Sequence, residues 1–147
     1  QLAEAMRHRV ELALPVAGTV LRRAGEPDAA GIERPGIVVA TRPRALVTTP
    51  AAATLRYRGP LLDYGQVSIL EPESGLLIVL AGLGTVYGAP GEVLPEGSPV
   101  GLMGGTAPGV IPSHNGEGGG GDRTETLYIE VRQDSTPVDP LDWFRAD

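Results

Sequence analysis

The chain is built of short apolar runs, rich in β-branched residues, that clusters of Gly, Pro and Asp separate. Runs of this kind predict short strands joined by turns. The runs are LPVAGTVL (14–21), GIVVA (36–40), ALVTT (45–49), QVSILE (66–71), LLIVLAG (76–82), PVGLMG (99–104) and TLYIEVR (126–132). The last run alternates apolar and polar residues, so one set of its side chains faces a core and the other faces outward. We therefore expect a mainly β fold, formed by a compact antiparallel β-sheet or sandwich.

Three segments depart from this strand pattern. Residues 1–13 carry apolar side chains at near-helical spacing and predict a short N-terminal helix, either the end of a coiled coil or a segment that docks on the domain and regulates it. Residues 104–125 are rich in glycine and predict a mobile loop, because they contain too little apolar surface to offset the entropy of ordering. Residues 139–144 predict a C-terminal helical turn whose Trp143 and Phe144 pack on one end of the sheet.

Composition excludes several classes of function. The chain has no Cys, and all 12 of its basic residues are Arg, so it forms no disulfide and no Schiff base and has no lysine for a lipoyl or biotinyl group. It has only two His, His8 and His114, which leaves little for metal binding. Its net charge of −6 argues against broad attraction to nucleic acid or anionic lipid. No apolar stretch is long enough to predict insertion into a membrane.

Three stretches taken in order carry a family resemblance. GIERPGIVVATRPRALVTTPAAATLRY (31–57) looks like an HxGxD strand and the strand-rich region after it. Residues 66–105 are similar to a run that contains a YxHL motif, and TLYIEVRQDSTPVDPLDWF (126–144) is similar to an HLHFEIR ending. Together these stretches resemble the lysostaphin-like (LytM) metallopeptidase domain. The resemblance implies a LytM-type fold over residues 14–147, with the end of a helix or coiled coil at residues 1–13.

The resemblance fails where the LytM family needs its catalytic residues. An active LytM enzyme holds zinc with the His and Asp of HxGxD and the second His of HxH, and further His residues act near the hydrolytic water. The residues at the former metal and catalytic positions are Arg34, Val38, Gly82, Thr126 and Tyr128. None of these side chains is a suitable zinc ligand, and a fixed arginine cation repels the metal. The resemblance therefore implies a domain with no metal, no cofactor and no hydrolytic activity. Stoichiometric zinc in purified protein would instead indicate an active hydrolase.

This degenerate pattern is similar to the LytM domain of EnvC-type murein hydrolase activators. The resemblance implies that the domain binds a periplasmic N-acetylmuramoyl-L-alanine amidase of a Gram-negative bacterium and relieves its autoinhibition at the division septum. It also implies that the coiled coil couples to the FtsE–FtsX complex. The alternative is a module that binds peptidoglycan or its stem peptides in the same vestigial groove.

The resemblance also marks a set of candidate partner-binding residues. They are Tyr128, Arg132, Tyr64, Val67, Leu80 and Arg34. The spacing of two of these residues agrees with a shared binding surface, because residues 128 and 132 project from one face of a strand with Glu130 between them. Tyrosine and arginine are also the residue types that dominate binding hot spots. The alternative is structural: the tyrosine covers the core, and the arginine pairs with Glu130 or Glu71 on the sheet surface.

Overall fold

A computed structural model describes residues 11–105 and 125–145 of the 147-residue chain. These residues form ten strands and one 3₁₀ helix, Pro140–Asp142. The strands are β1 (Thr19–Arg22), β2 (Ile37–Thr41), β3 (Leu46–Thr48), β4 (Ala53–Leu61), β5 (Gly65–Glu73), β6 (Leu76–Val86), β7 (Val93–Leu94), β8 (Pro99–Met103), β9 (Glu125–Gln133) and β10 (Thr136–Val138).

The strands pair into one antiparallel sheet with the order β1-β2-β9-β6-β5-β4-β7. Strand β10 pairs with β9, and β8 joins the edge of β6 and pairs with β3. The predicted mainly β, antiparallel fold is confirmed. The sequence pattern did not indicate β4, because Arg56, Arg58 and the Gly59–Pro60 pair resemble a surface turn. The strand forms because β5 pairs along it, and an irregularity between Leu55 and Tyr57 breaks its alternation.

The hydrophobic core lies on one face of this sheet. Leu127, Ile129 and Val131 of β9 are fully buried there, as the alternation of the LYIEVR run predicts. The small β3–β8 pair covers the same face and contributes Val47 and Met103. The opposite face of the sheet therefore carries the other half of each strand's side chains.

Both ends of the described chain pack against this core. Leu12 is fully buried, and its backbone forms a bridge with Phe144. The predicted N-terminal helix is therefore wrong for residues 11–13, because Leu12 pairs with the C-terminal segment and the Ala13 N–H donates to the Pro50 carbonyl instead. Residues 1–10 of that predicted helix lie outside the described residues. The predicted C-terminal turn is the 3₁₀ helix, and Trp143 beside it is 8% exposed within the core cluster.

Most of the predicted glycine-rich loop, residues 106–124, also lies outside the described residues. Its predicted end at residue 125 is one residue too long, because Glu125 already pairs with Thr41 as the first residue of β9. Among the described residues, no helix is both long enough and apolar enough to cross a membrane.

Candidate functional site

The sheet face opposite the core forms a shallow cleft centred on β9. Tyr128, Glu130 and Arg132 project from this face, because they alternate with the buried residues of the same strand. In the neighbouring strand β6, Ala81 lies opposite Tyr128 and Leu77 lies opposite Arg132. Directly opposed residues of an antiparallel pair project to the same side. We call this surface the cleft face.

At one end of the cleft face lies an open pocket of about 330 Å³, the first pocket. Its lining consists of Leu21, Arg22, Arg34, Val38, Asp63, Tyr64, Ala81, Gly82, Thr126 and Tyr128. All five positions that the LytM resemblance marks as former metal or catalytic positions are in this lining. Strand pairing brings them together, since Val38 lies opposite Tyr128 in the β2–β9 pair and Ala81 lies opposite Tyr128 in the β6–β9 pair. The first pocket thus stands where the LytM resemblance places a metal centre.

The side chains of the first pocket do not fit a zinc ion. Val38 has no lone pair, and Arg34 is a permanent cation. Burial, followed by the hydrogen bond to Glu130, raises the pKa of Tyr128 well above its ordinary value, so its hydroxyl stays protonated and is a poor ligand. The described residues contain no group of three or more His, Cys, Asp or Glu that could hold a metal.

The backbone at Gly82 also disfavours a return to the family's catalytic histidine. Gly82 has a φ of +100°, which side chains of L-residues rarely adopt. A Cβ added there would lie 2.9 Å from the carbonyl oxygen of Thr126. The backbone at this position therefore disfavours a histidine side chain.

A chain of hydrogen bonds runs along the cleft face of β9. The backbone N–H of Gly36 donates to Tyr128 Oη at 3.0 Å, and the Tyr128 hydroxyl donates to Glu130 Oε1 at 2.8 Å. Arg132 Nη1 donates to Glu130 Oε2, and Arg132 Nη2 donates to the Ser135 carbonyl at 3.3 Å. Each side chain in this chain holds the next one, so the tyrosine and the arginine are positioned before any partner arrives.

Glu130 is the residue that the sequence-based selection missed. Its side chain is 5% exposed, whereas that of Arg132 is 36% exposed, so the carboxylate lies beneath the guanidinium. The sequence signal was present, because Glu130 falls between the two selected residues on the same strand face. Of the two carboxylates with which Arg132 is expected to pair if its role is structural, it pairs with Glu130. The other, Glu71, forms a salt bridge with Arg56 instead.

Tyr64 reaches the same place from the turn between β4 and β5. Its ring centroid lies 5.8 Å from that of Tyr128, with the two planes tilted by 43°. Such a tilted aromatic pair is favourable beyond the apolar area that it buries. The same turn carries Leu62, a large apolar residue that is 86% exposed.

Two predicted partner-binding residues are not on the surface. Leu80 is fully buried and lies opposite Ile129, so it belongs to the core face and the prediction that it touches a partner is wrong. Val67 lies opposite Ala81 on the cleft face, yet it is also fully buried. The prediction is wrong for this residue too, because Val67 is a floor residue that no partner reaches directly.

Arg34 is half-buried in the first pocket, and Arg22 stands in the same lining. Their charges act together on nearby Asp28. The pKa of Asp28 is lowered chiefly by the backbone N–H of Ile32, and the two guanidinium groups lower it further. Within the part of the chain that the structure describes, neither arginine forms a salt bridge.

Comparison of the sequence with other proteins supplies one distant relative. No family model matches the chain. An uncharacterized protein of Neisseria meningitidis serogroup B, NMB1333, is 26% identical over 139 residues, which are 95% of this chain. The matched chain spans only 21% of the length of that protein.

Solved structures of other proteins have a similar fold. Helicobacter pylori Csd3 superposes with a TM-score of 0.73 at 18% identity, over 95% of this chain and 34% of Csd3. SpoIIQ in its pore-forming complex with SpoIIIAH superposes with a TM-score of 0.69 at 19% identity, over 92% of both chains. Lysostaphin gives a TM-score of 0.62 at 14% identity, over 95% of this chain and 57% of lysostaphin. The described residues thus have the lysostaphin-like, or LytM, peptidase fold.

Proposed function

We propose that this domain is a non-catalytic activator of a periplasmic N-acetylmuramoyl-L-alanine amidase. The observation that carries the proposal is the first pocket of this LytM fold, which brings together an arginine, a valine and a hydrogen-bonded tyrosine at the positions that the LytM resemblance assigns to zinc ligands. Such a pocket keeps the shape of a peptide-binding groove without its hydrolytic chemistry. In the same proposal the protein acts at the division septum, and the segment before the domain couples to the FtsE–FtsX complex.

The cleft face has the composition of a binding hot spot. Tyr64 and Tyr128 supply two rigid rings, and Arg132 supplies a guanidinium that is 36% exposed and already oriented by Glu130. Aromatic and arginine anchors of this kind dominate protein interfaces, and prior orientation reduces the entropy lost on binding. A LytM-fold protein that binds another protein is known, since SpoIIQ forms a complex with SpoIIIAH.

Activation requires that the domain bind the open amidase more tightly than the closed one. Moving a two-state equilibrium from about 1:99 to 99:1 takes roughly 5.5 kcal/mol of differential affinity. Hot-spot residues each contribute about 2–4 kcal/mol when they are well packed. Two or three anchors on the cleft face that contact only the open amidase therefore suffice for the shift.

The proposal is tested by release of dye from labelled sacculi. Four reactions are compared: no protein, the domain alone, the amidase alone, and both together. We expect release above the amidase's basal rate only in the fourth reaction. Tyr64→Ala in the domain should abolish the stimulation, whereas Tyr87→Ala should not, because Tyr87 is 38% exposed and lies outside the first pocket. Release by the domain alone would show instead that it is a hydrolase.

One observation favours a second candidate, binding of peptidoglycan stem peptides. Arg22 and Arg34 line the first pocket without a salt bridge in the described residues, and stem peptides carry carboxylates. A pull-down with insoluble murein separates the two functions. Retention of the domain without amidase, lost in Arg34→Gln but kept in Arg42→Gln, would favour stem-peptide binding over activation. Arg42 is an exposed arginine outside the pocket lining.

A further inference from the structure

A second pocket, of about 420 Å³, lies at the other end of the cleft face. It is lined by Arg56, Tyr57, Ile69, Glu71, Gly75, Leu77, Asp134 and Ser135. Leu77 of the lining lies opposite Arg132. Ile69 lies opposite Val79, which in turn lies opposite Glu130. The second pocket therefore continues the cleft face. From Tyr128 to Arg132 the strand advances about 13 Å, at roughly 3.3 Å per residue. A segment bound along β9 would therefore meet both pockets.

The second pocket is held in shape by its own contacts. Glu71 Oε2 accepts a hydrogen bond from Gly75 N–H at 3.1 Å, and Glu71 Oε1 pairs with Arg56 at 3.4 Å. The turn that carries Asp134 and Ser135 has positive φ at both residues and accepts the hydrogen bond from Arg132. The same polar chain that orients Tyr128 at the first pocket thus ends in the wall of the second.

The chemistry of the lining selects one kind of side chain. Ile69 and Leu77 are partly exposed and offer apolar surface, and the Tyr57 ring is 37% exposed with its hydroxyl bound to the Pro60 carbonyl. Arg56 and Glu71 neutralise each other, while the carboxylate of Asp134 has no hydrogen bond or salt bridge within the described residues. An apolar floor, an aromatic face and an uncompensated carboxylate together suit a long aliphatic stem that ends in a cation.

We propose that the second pocket binds a lysine or arginine side chain of the partner protein and so forms a second anchor for it. The identification of that protein as the amidase rests on the proposed function. The chain's net charge of −6 favours the approach of a basic segment, and the pocket gives that segment a defined position about 13 Å along β9 from Tyr128.

The pocket is tested without any partner by NMR titration of the ¹⁵N-labelled domain. The probe is N-acetyl-arginine amide, and its neutral isostere N-acetyl-citrulline amide is the control. We expect saturable shifts at the backbone amides of Gly75, Asp134 and Ser135 with the arginine probe alone. Asp134→Asn should weaken this binding about fivefold, as loss of one partly exposed ion pair does. Asn tolerates the left-handed backbone of that turn, so the variant keeps the fold.

The matched control variant is Glu33→Gln, which removes an exposed carboxylate outside the pocket and should leave the titration unchanged. Equal shifts with both probes, or equal affinity in Asp134→Asn and wild type, would overturn the proposal. The amidase is then bound to the same variants. A loss of affinity in Asp134→Asn but not in Glu33→Gln supports the partner assignment, and equal affinities refute it. A wild-type domain that binds no amidase refutes the proposed function, while the arginine titration still decides the pocket.

Discussion

Removal of the Arg132 side chain tests whether Glu130 and Arg132 act as a unit. Arg132→Ala leaves the Glu130 carboxylate, 5% exposed, with the Tyr128 hydroxyl as its one remaining partner among the described residues. Breaking a fully buried ion pair costs about 3–5 kcal/mol, and an exposed pair is worth about 0–1 kcal/mol. Because the Arg132 side chain is 36% exposed, we expect an intermediate loss of about 1–3 kcal/mol in the free energy of unfolding.

The decisive comparison is a double-mutant cycle with Glu130→Gln. Glutamine removes the charge but still accepts the hydrogen bond from Tyr128, so Glu130→Gln should restore part of the stability lost in Arg132→Ala. The four proteins are compared by urea denaturation at neutral pH. Additivity of the two substitutions within about 0.5 kcal/mol would refute the reasoning, because independent sites behave in that way.

This cycle also separates folding from function. Loss of amidase stimulation in Arg132→Ala alone has two explanations, a weakened domain or a missing anchor. The double variant removes the anchor without leaving a buried charge unpaired. We expect it to fold and still fail to stimulate the amidase. Stimulation at the wild-type level would remove Arg132 from the set of partner-binding residues.

Four further outcomes follow from the structure. Gly36→Ala should destabilise the domain by about 1–3 kcal/mol in urea denaturation, because its Cβ would overlap the Ile129 carbonyl oxygen and lie 2.6 Å from Cζ of Tyr128; a neutral effect would contradict this steric argument. Folding raises the pKa of Tyr128, so its contribution to stability is complete below the unfolded pKa of about 10 and is lost as pH rises above it. Denaturation between pH 9 and about 11 should therefore show a steeper loss in wild type than in Tyr128→Phe, and equal slopes would contradict the burial argument. Gly82→His should lower the melting temperature without conferring zinc binding in metal analysis, since its backbone has φ of +100° and its Cβ would crowd the Thr126 carbonyl; stoichiometric zinc would contradict this. Leu80→Ala should cost about 2–5 kcal/mol of unfolding free energy and reduce stimulation only in proportion to the unfolded fraction, because Leu80 is a core residue.

The strands could be predicted because their signal is local. Each of the seven apolar runs overlaps a strand of the sheet, and the LYIEVR alternation correctly separates core side chains from outward ones. The local sequence pattern failed to predict structure where backbone pairing with a distant segment decides the conformation. Strand β4 contains Gly59 and Pro60 and forms because β5 lies alongside it, and Leu12 leaves a helix-like pattern to pair with Phe144. A window of sequence contains no information about which distant segment will supply the hydrogen bonds.

The candidate site divides in the same way. The resemblance to the LytM motifs singles out five altered positions, and the tertiary structure brings all five into the lining of one pocket. The resemblance could not show how deeply a residue is buried, so it marks Val67 and Leu80 as partner-binding residues although both are fully buried. It also could not show that Glu130 lies beneath Arg132, because burial depends on what the neighbouring strands place around a side chain.

The sequence by itself determined which chemistry is absent from the motif positions, since Val38 and Arg34 are poor zinc ligands in any fold. It also determined the two faces of β9, because a strand alternates with a period of two. Only the tertiary structure decided that a polar chain from Gly36 to Ser135 follows the cleft and that a second pocket lies at its far end. Those features depend on strand order and register, which bring together side chains that are far apart in the sequence.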